Sequence, residues 1–435
     1  MITKQEISFS NFAQAKKLAR LNLLSRFIVN ATRFLKLNQV AYKLDYFERM
    51  LNFMRLIGLY ILSNNKSFEF KSKSLTKSNA ENNKGRIGQS LLEFLFHFEI
   101  IEYKQNQFVI KENYKRLLEQ DIPKITIKSN DDLKNTSFYR KKKNLVNDFL
   151  FVKDIIRKYR DPQYALQHIN KKRHVWESLI AEKKLDYEIR LSETLLNLTK
   201  LNIPHKIVSP FDEDYYTESG RNAFRNFTQF RFLEYFNKIT TNKENIRVFD
   251  LGCGYGNYLE ILNDNFSDIS ITGIEKNPKV YSSTLKKFEN SKNVTVINDD
   301  FFKYTPDEKY DVILMNYVLF YFNSEEKKKV LEKAKNTIHN TGSIVLCQYF
   351  SGIEHLKKEL AQKQKDYSAP KKIEMYYSDK ILYANTLWND AVDTFSEAVK
   401  WEEFKTIISE LNLQINSMTN ADKFYYSLFI ELKKG

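Results

Sequence analysis

The chain is poor in the residues that staple or anchor a protein. Among 435 residues there are two cysteines, Cys253 and Cys347. They are too few for a disulfide framework and have no neighbouring ligands for a metal site. The pair suits a reducing cytoplasm, and no metal is expected. Long apolar runs are also missing. The longest, "LIGLYIL" from Leu56 to Leu62, has seven residues, against the roughly 20 that a membrane-spanning helix needs. The first stretch, "MITKQEISFSNFAQAKKL", holds no apolar core of signal-peptide length. Neither a membrane partner nor a targeting signal is expected, and the localisation is read as cytoplasmic.

Bulk apolar material is plentiful. Apolar residues make up 42% of the chain and aromatics 14%, with 33 Phe and 26 Tyr. At this length two or three domains with real cores are expected, and an aromatic-lined pocket with them. Charge is unevenly spread. Residues 1–200 hold 38 Lys and Arg against 21 Asp and Glu, whereas the remainder holds 31 against 33. A basic half can face nucleic acid or an acidic partner, but lysines spread over solvated helix faces give the same count, and that plainer reading is preferred.

Residues 10–62 repeat at helical spacing, with Leu44, Phe47, Leu51 and Met54 on one face. Further on, "SLLEFLFHFEIIEYKQNQFVIKENYKRLLEQ" reads as helix, strand, polar turn "KQNQ", strand and helix. A helix feeding a hairpin is a winged-helix pattern. The helix before this wing is apolar nearly all round, so packing or dimerisation is favoured over reading a DNA groove. His97, inside it, reads as a core histidine. "NIPHKIVSPFDED" breaks the helical texture, and the domain boundary is placed there: 1–205 mainly helical, 206–435 α/β. Beyond Ile246, strands "IRVFDL", "ISITGIE", "VTVIND", "YDVILMNYV" and "GSIVLCQYF" alternate with helices, and "KFYYSLFIELKK" is a last strand. This argues for a mostly parallel, doubly wound sheet.

Three of the chain's 11 glycines fall within five residues, in "VFDLGCGYG", where the first of those strands meets its helix. Gly252, Gly254 and Gly256 let the backbone turn sharply and let a ligand lie on it. Asp250 closes the strand, and its carboxylate can hold backbone amides or an ammonium group. Glu275 ends the next strand in "ITGIEKNP", 23 residues after Gly252, where an acid can accept both hydroxyls of a ribose. The ligand implied is an adenosine with a compact, partly cationic tail.

At this point the C-terminal half resembles a class I S-adenosylmethionine-dependent methyltransferase over roughly residues 210–435. "DLGCGYG" resembles that family's glycine loop, "GIEKNP" its ribose-binding strand end, "VINDDFFKY" its adenine loop and "YDVILMNYVLFYFNSEE" its fourth-strand motif. The resemblance implies a Rossmann-like domain and S-adenosylmethionine as cofactor. It implies a cofactor site of Asp250, Gly252, Cys253, Gly254, Gly256, Glu275, Lys276, Asp300, Phe301 and Asn316. In that site Asp300 would take the exocyclic amine and Phe301 would lie against the ring. The nearest subfamily is the bacterial and plant small-molecule O-methyltransferases, whose winged-helix N-terminal domain makes a dimer. "LLEFLFHFEIIEYKQNQFVI" resembles their helix-plus-wing segment, with Glu99 where that pattern usually has glycine.

One departure bears on the chemistry. The subfamily's fourth-strand motif carries a leucine–histidine pair whose histidine is the general base, and the matching pair here is Leu319–Phe320. His339 falls in the turn "IHNTG", and His355, after the fifth strand, is the better-placed alternative. Without a base, methyl transfer rests on aligning the nucleophile and excluding water. An acceptor nitrogen, sulfur, carbon or carboxylate is then expected rather than an unactivated phenol. Tyr317, Phe320 and Tyr321 are acceptor-pocket candidates, "MYYSDKILYANTLW" is a candidate acceptor loop, and Tyr216 or Arg225 is a candidate for closing over the cofactor. The expected enzyme is a homodimer acting on a small biosynthetic acceptor. The alternative is methylation of RNA or of a carrier-protein-bound substrate docked by the basic half, and a non-catalytic cofactor-binding scaffold is a third reading.

Overall fold

The computed structural model describes residues 27, 29–31, 39–65, 84–104, 107–118, 139–140, 142–161, 176, 179–180, 182, 185–241 and 243–435. Most of the expected helical stretch before residue 39, and the centre of the expected hairpin turn at 105–106, lie outside them. In chain order the elements are α1 (Gln39–Asn64), α2 (Lys84–His97), β1 (Ile101–Lys104), β2 (Gln107–Ile110), α3 (Glu112–Leu118), α4 (Lys143–Arg160) and α5 (Asp186–Leu196). Then come α6 (Glu213–Ala223), α7 (Gln229–Thr240), β3 (Ile246–Leu251), α8 (Asn257–Asn265), β4 (Ile269–Ile274), α9 (Pro278–Lys287), β5 (Val294–Ile297) and β6 (Tyr310–Asn316). Last are α10 (Ser324–Thr337), β7 (Ile338–Gln348), α11 (Glu354–Lys363), α12 (Ala369–Ala391), α13 (Trp401–Glu410), β8 (Leu413–Asn420) and β9 (Leu428–Lys434). Among the described residues no helix is long and apolar enough to cross a membrane.

Two compact units share these elements. The first holds Met1–Val208 together with Ser368–Asp393, and the second holds Ser209–Tyr367 together with Thr394–Gly435. In the first unit α4 buries Leu145, Val146, Phe149, Val152, Ile155 and Ile156, spaced so that they share one helix face. Its last turn carries Arg157, Lys158 and Arg160, where cations offset the free carbonyl ends. β1 and β2 pair antiparallel, Ile101 with Ile110 and Lys104 with Gln107. α12 belongs here too: Tyr383 stacks on His97 at 3.5 Å, Tyr377 stacks on Phe47 at 5.3 Å, and Arg86 Nε reaches Asp390 Oδ1 at 3.2 Å. His97 is thus a packed core histidine. Burial first, and the Lys380 charge second, hold its imidazole well below the usual range.

The second unit is a seven-stranded sheet in the order β5-β4-β3-β6-β7-β9-β8. β5, β4, β3, β6 and β7 run parallel, and β9 joins β7 and β8 antiparallel. This is the Rossmann-like, mixed α/β sheet expected. β3, "IRVFDL", is buried along its length save for the half-buried Arg247, because both faces are covered, as parallel sheets require. One face packs Val248, Val312, Leu314, Val345 and Phe429 against Phe232 and Phe236 of α7 and Leu259 and Leu262 of α8. β8, "LQINSMTN", has no counterpart among the strands anticipated from the sequence. It is one of the sheet's two edge strands, and its half-exposed polar residues weaken the apolar signal.

Candidate functional site

The parallel strands β3, β4 and β6 end together, and the chain leaves β3 through a run of left-handed glycines. Gly252, Gly254 and Gly256 have φ of 70°, 52° and 70°, a region that a side chain strains to enter. Gly252 N and Cys253 N both donate to Ile274 O at 3.0 Å, and Gly254 N donates to Glu275 Oε2 at 3.1 Å. Asn277 N donates to the other oxygen, Glu275 Oε1, at 2.8 Å. The loop is therefore tied to the end of β4, with the Glu275 carboxylate inside it. Gly256 has a second reason to lack a side chain: a Cβ there would lie 2.6 Å from the Phe288 ring. Gly254 does not, since the nearest atom to its missing Cβ is Thr217 Cγ2 at 3.7 Å.

Asp250 sits beneath this loop, 1% exposed. Burial first, and the nearby Glu275 charge second, push its carboxyl up to about 8. No described residue hydrogen-bonds Asp250 Oδ2, Asn257 Oδ1 or either end of the Asn316 amide, although all these atoms are buried. Register brings them into one neighbourhood: Asp250 pairs with Leu314, so Asn316 lies level with Gly252, and Asn257 opens α8 directly after Gly256. Buried polar atoms are nearly always satisfied. Several orphans around a glycine turn therefore indicate a polar ligand, and an ammonium or amide-binding group suits an acid beside a carboxamide. Tyr317, next in the chain, is held at φ 54° with its N–H on Cys347 O at 2.8 Å and its hydroxyl on Ser427 Oγ at 2.9 Å. Such backbone strain clusters at working sites.

The other expected cofactor residues fall as follows. Cys253 is buried, and burial raises its thiol well above the ordinary value, so it is a packing residue of the turn. Lys276 is exposed, and Asp300 is half-buried with Oδ1 accepting from Phe302 N at 2.8 Å. Phe301 is 6% exposed and packs on Phe249, whereas Phe302 shows 37% of its surface. The Phe302 ring lies edge-on to Phe322 at 5.5 Å. α6 lies along the glycine turn through Thr217, through Arg221 over the Tyr255 ring at 5.8 Å and through an Asp214–Lys279 ion pair. Arg225 is exposed in the turn after α6. The Tyr216 hydroxyl lies 3.0 Å from Ser209 Oγ.

The four pocket candidates are linked by two rings that the sequence did not single out. Phe395 lies 5.0 Å from Tyr216, 5.1 Å from Phe320 and 5.3 Å from Tyr321. Tyr349 lies 5.6 Å from Phe320 and 6.2 Å from Tyr317. Nothing local marks either residue, since Phe395 is far along the chain from Phe320 and meets it only through the fold. Asn257 was missed as well, though its place just after the third glycine was a usable signal. His355 is exposed on the first turn of α11, and His339 is exposed in β7 rather than in a turn. Met375–Trp388, expected as a loop, is the body of α12.

The methyltransferase domain family matches residues 242–412. No curated protein matches the chain significantly. Among solved structures, the chain is similar to an O-methyltransferase family 2 protein from Planctomyces limnophilus in complex with apigenin. Identity there is 11%, the alignment covers 89% of this chain and 96% of that one, and the TM-score is 0.46. A SAM-dependent methyltransferase from Aquifex aeolicus aligns at 17% identity over 51% of this chain and 98% of that one, with a TM-score of 0.34. An O-methyltransferase from neocarzinostatin biosynthesis, in complex with S-adenosylmethionine and 2-hydroxy-5-methyl naphthoic acid, aligns at 12% identity over 89% and 96%, with a TM-score of 0.35.

Proposed function

We propose, from the premise that residues 242–412 are a methyltransferase domain of the class I S-adenosylmethionine-dependent type, that this enzyme methylates a small biosynthetic molecule with a flat, apolar body. The observation that carries the reading is the buried Asp250 carboxyl group, whose Oδ2 meets no hydrogen-bond partner among the described residues, beside a left-handed glycine turn. The polar groups present fit the cofactor. Asp250 would take its ammonium, Asn316 its amino-acid end, and Asp300 its exocyclic amine. Each carboxylate oxygen accepts two hydrogen bonds, so the loop-bound Glu275 is compatible with holding both ribose hydroxyls. When bound, S-adenosylmethionine supplies an electrophilic methyl group on a sulfonium.

The chain's own part is to orient the acceptor and exclude water. Tyr216, Phe320, Tyr321, Tyr349 and Phe395 form the aromatic wall assigned to that task. Phe320 stands where a histidine base would serve and cannot take a proton. The acceptor atom is therefore assigned as nitrogen, sulfur, carbon or carboxylate. We assign the first unit to self-association in the cytoplasm, which sedimentation of the purified chain as a dimer would bear out.

The test supplies methyl-labelled S-adenosylmethionine to the full chain together with small-molecule extract, total RNA and total protein. Label is expected in the small-molecule fraction. Label confined to RNA or protein overturns the acceptor class, and failure of S-adenosylhomocysteine to bind overturns the site.

A further inference from the structure

Lys327 lies in the first turn of α10, where the unpaired N–H groups of the helix disfavour a cation. It is nonetheless withdrawn from water, 2% exposed. Its Nζ donates to Ala398 O at 3.3 Å, Glu397 Oε2 at 3.4 Å and Glu403 Oε1 at 3.5 Å, while Ser324 Oγ donates to Glu397 Oε2 at 2.9 Å. On the same segment Ser396 N and Glu397 N donate to Phe320 O at 3.0 and 3.3 Å. The residue just before these contacts is Phe395, whose ring stands perpendicular to that of Phe320.

We propose that Lys327 is a positioning residue for the acceptor, fixing Phe395 on Phe320 by drawing Glu397 and Glu403 to one buried charge. This rests on the reading of the aromatic group as the acceptor wall. The two carboxylates, 18% and 20% exposed, both meet Ser324 Oγ and repel each other, a repulsion that the Lys327 ammonium offsets with its charge. A buried pair that loses one partner leaves the other charge uncompensated. Without the ammonium the segment relaxes toward water and takes Phe395 with it. The glycine turn makes no use of this tether, so cofactor binding is spared.

The test places 4-fluorophenylalanine at position 395 of the full chain and follows its fluorine resonance. In the natural protein the signal should be displaced from the free amino acid by the rings of Phe320 and Tyr321. Lys327→Met should remove at least half of that displacement while S-adenosylhomocysteine affinity, by calorimetry, changes less than about twofold. Glu397→Gln should move the signal the same way by a smaller amount, and it serves where Lys327→Met does not fold. An unmoved resonance in the folded variants overturns the positioning role and leaves the wall standing. A natural-protein resonance at the free amino acid value overturns the wall itself. A tenfold loss of S-adenosylhomocysteine affinity would make Lys327 a general support of the domain and also overturn the proposal.

Discussion

At Asp250 a carboxyl group keeps its proton to about pH 8, because burial penalises its charge and Glu275 adds a second negative charge nearby. Unfolded, the same group titrates near pH 4, at about 3.9. Between those values the folded chain holds a proton that the unfolded chain has released, so this group's contribution to stability falls as pH rises from about 4 to about 8. The melting temperature of the ligand-free protein should show that decline, and Asp250→Asn should flatten it. Binding an ammonium beside Asp250 ionises it and expels the proton. S-adenosylhomocysteine affinity should therefore rise with pH up to about 8, by at most about tenfold per unit, and calorimetry in two buffers of different ionisation enthalpy should detect the released proton. An equal pH dependence in Asp250→Asn would refute the assignment. The glycines give a second contrast. Gly256→Ala drives a methyl into Phe288 and should cost stability, by about 1–3 kcal/mol. Gly254→Ala meets only Thr217 at 3.7 Å, so it should cost only the strain of its left-handed backbone, about 1 kcal/mol, and less stability than Gly256→Ala, while lowering cofactor affinity. The turn and its acids were legible because strand, glycines and acid follow one another along the chain. Asn316 was legible only through resemblance, and Phe395 and Tyr349 not at all, because their partners are set by tertiary packing.

At the scale of single elements, the end of α2 explains an oddity in the sequence. Glu99 N donates to Phe96 O and Ile100 N to Leu95 O, while Glu99 itself has φ 63°. This is the left-handed helix terminus at which glycine is usual, so Glu99 holds a side chain where the backbone conformation disfavours one. Glu99→Gly should raise stability by roughly 1 kcal/mol through relief of that strain, less any loss from the Arg55 pair at 3.9 Å. Chemical denaturation gives the answer, and a fall in stability would mean that the ion pair outweighs the backbone term. The six anticipated strands of the second unit, five parallel and β9 antiparallel, were readable from their short, mainly apolar runs. β8 was hidden by its polar edge. Met375–Trp388 fits an acceptor loop only by its aromatic residues and its place in the resemblance, whereas the length of α12 and its Ser368 cap mark a helix.

For the whole molecule, the +17 excess on residues 1–200 is the feature that separates a small-molecule enzyme from one that docks on RNA. Contacts to phosphate release counterions, so affinity falls steeply with salt. Label transfer to the small-molecule fraction should change by less than about twofold between about 50 and 300 mM KCl, whereas phosphate docking would cost orders of magnitude. The α/β character of the C-terminal half came directly from its alternating texture. The membership of Ser368–Asp393 in the first unit did not, since one more amphipathic helix between strands looks like any crossover helix until its partners are known.

That membership also orders events during synthesis. α2 finds Tyr383 and Asp390 only on α12, a stretch the ribosome makes after most of the second unit's strands. The early half of the polypeptide must therefore wait, with apolar helix faces uncovered, until residue 391 has emerged, and a gene fragment ending at residue 208 lacks part of its own interior.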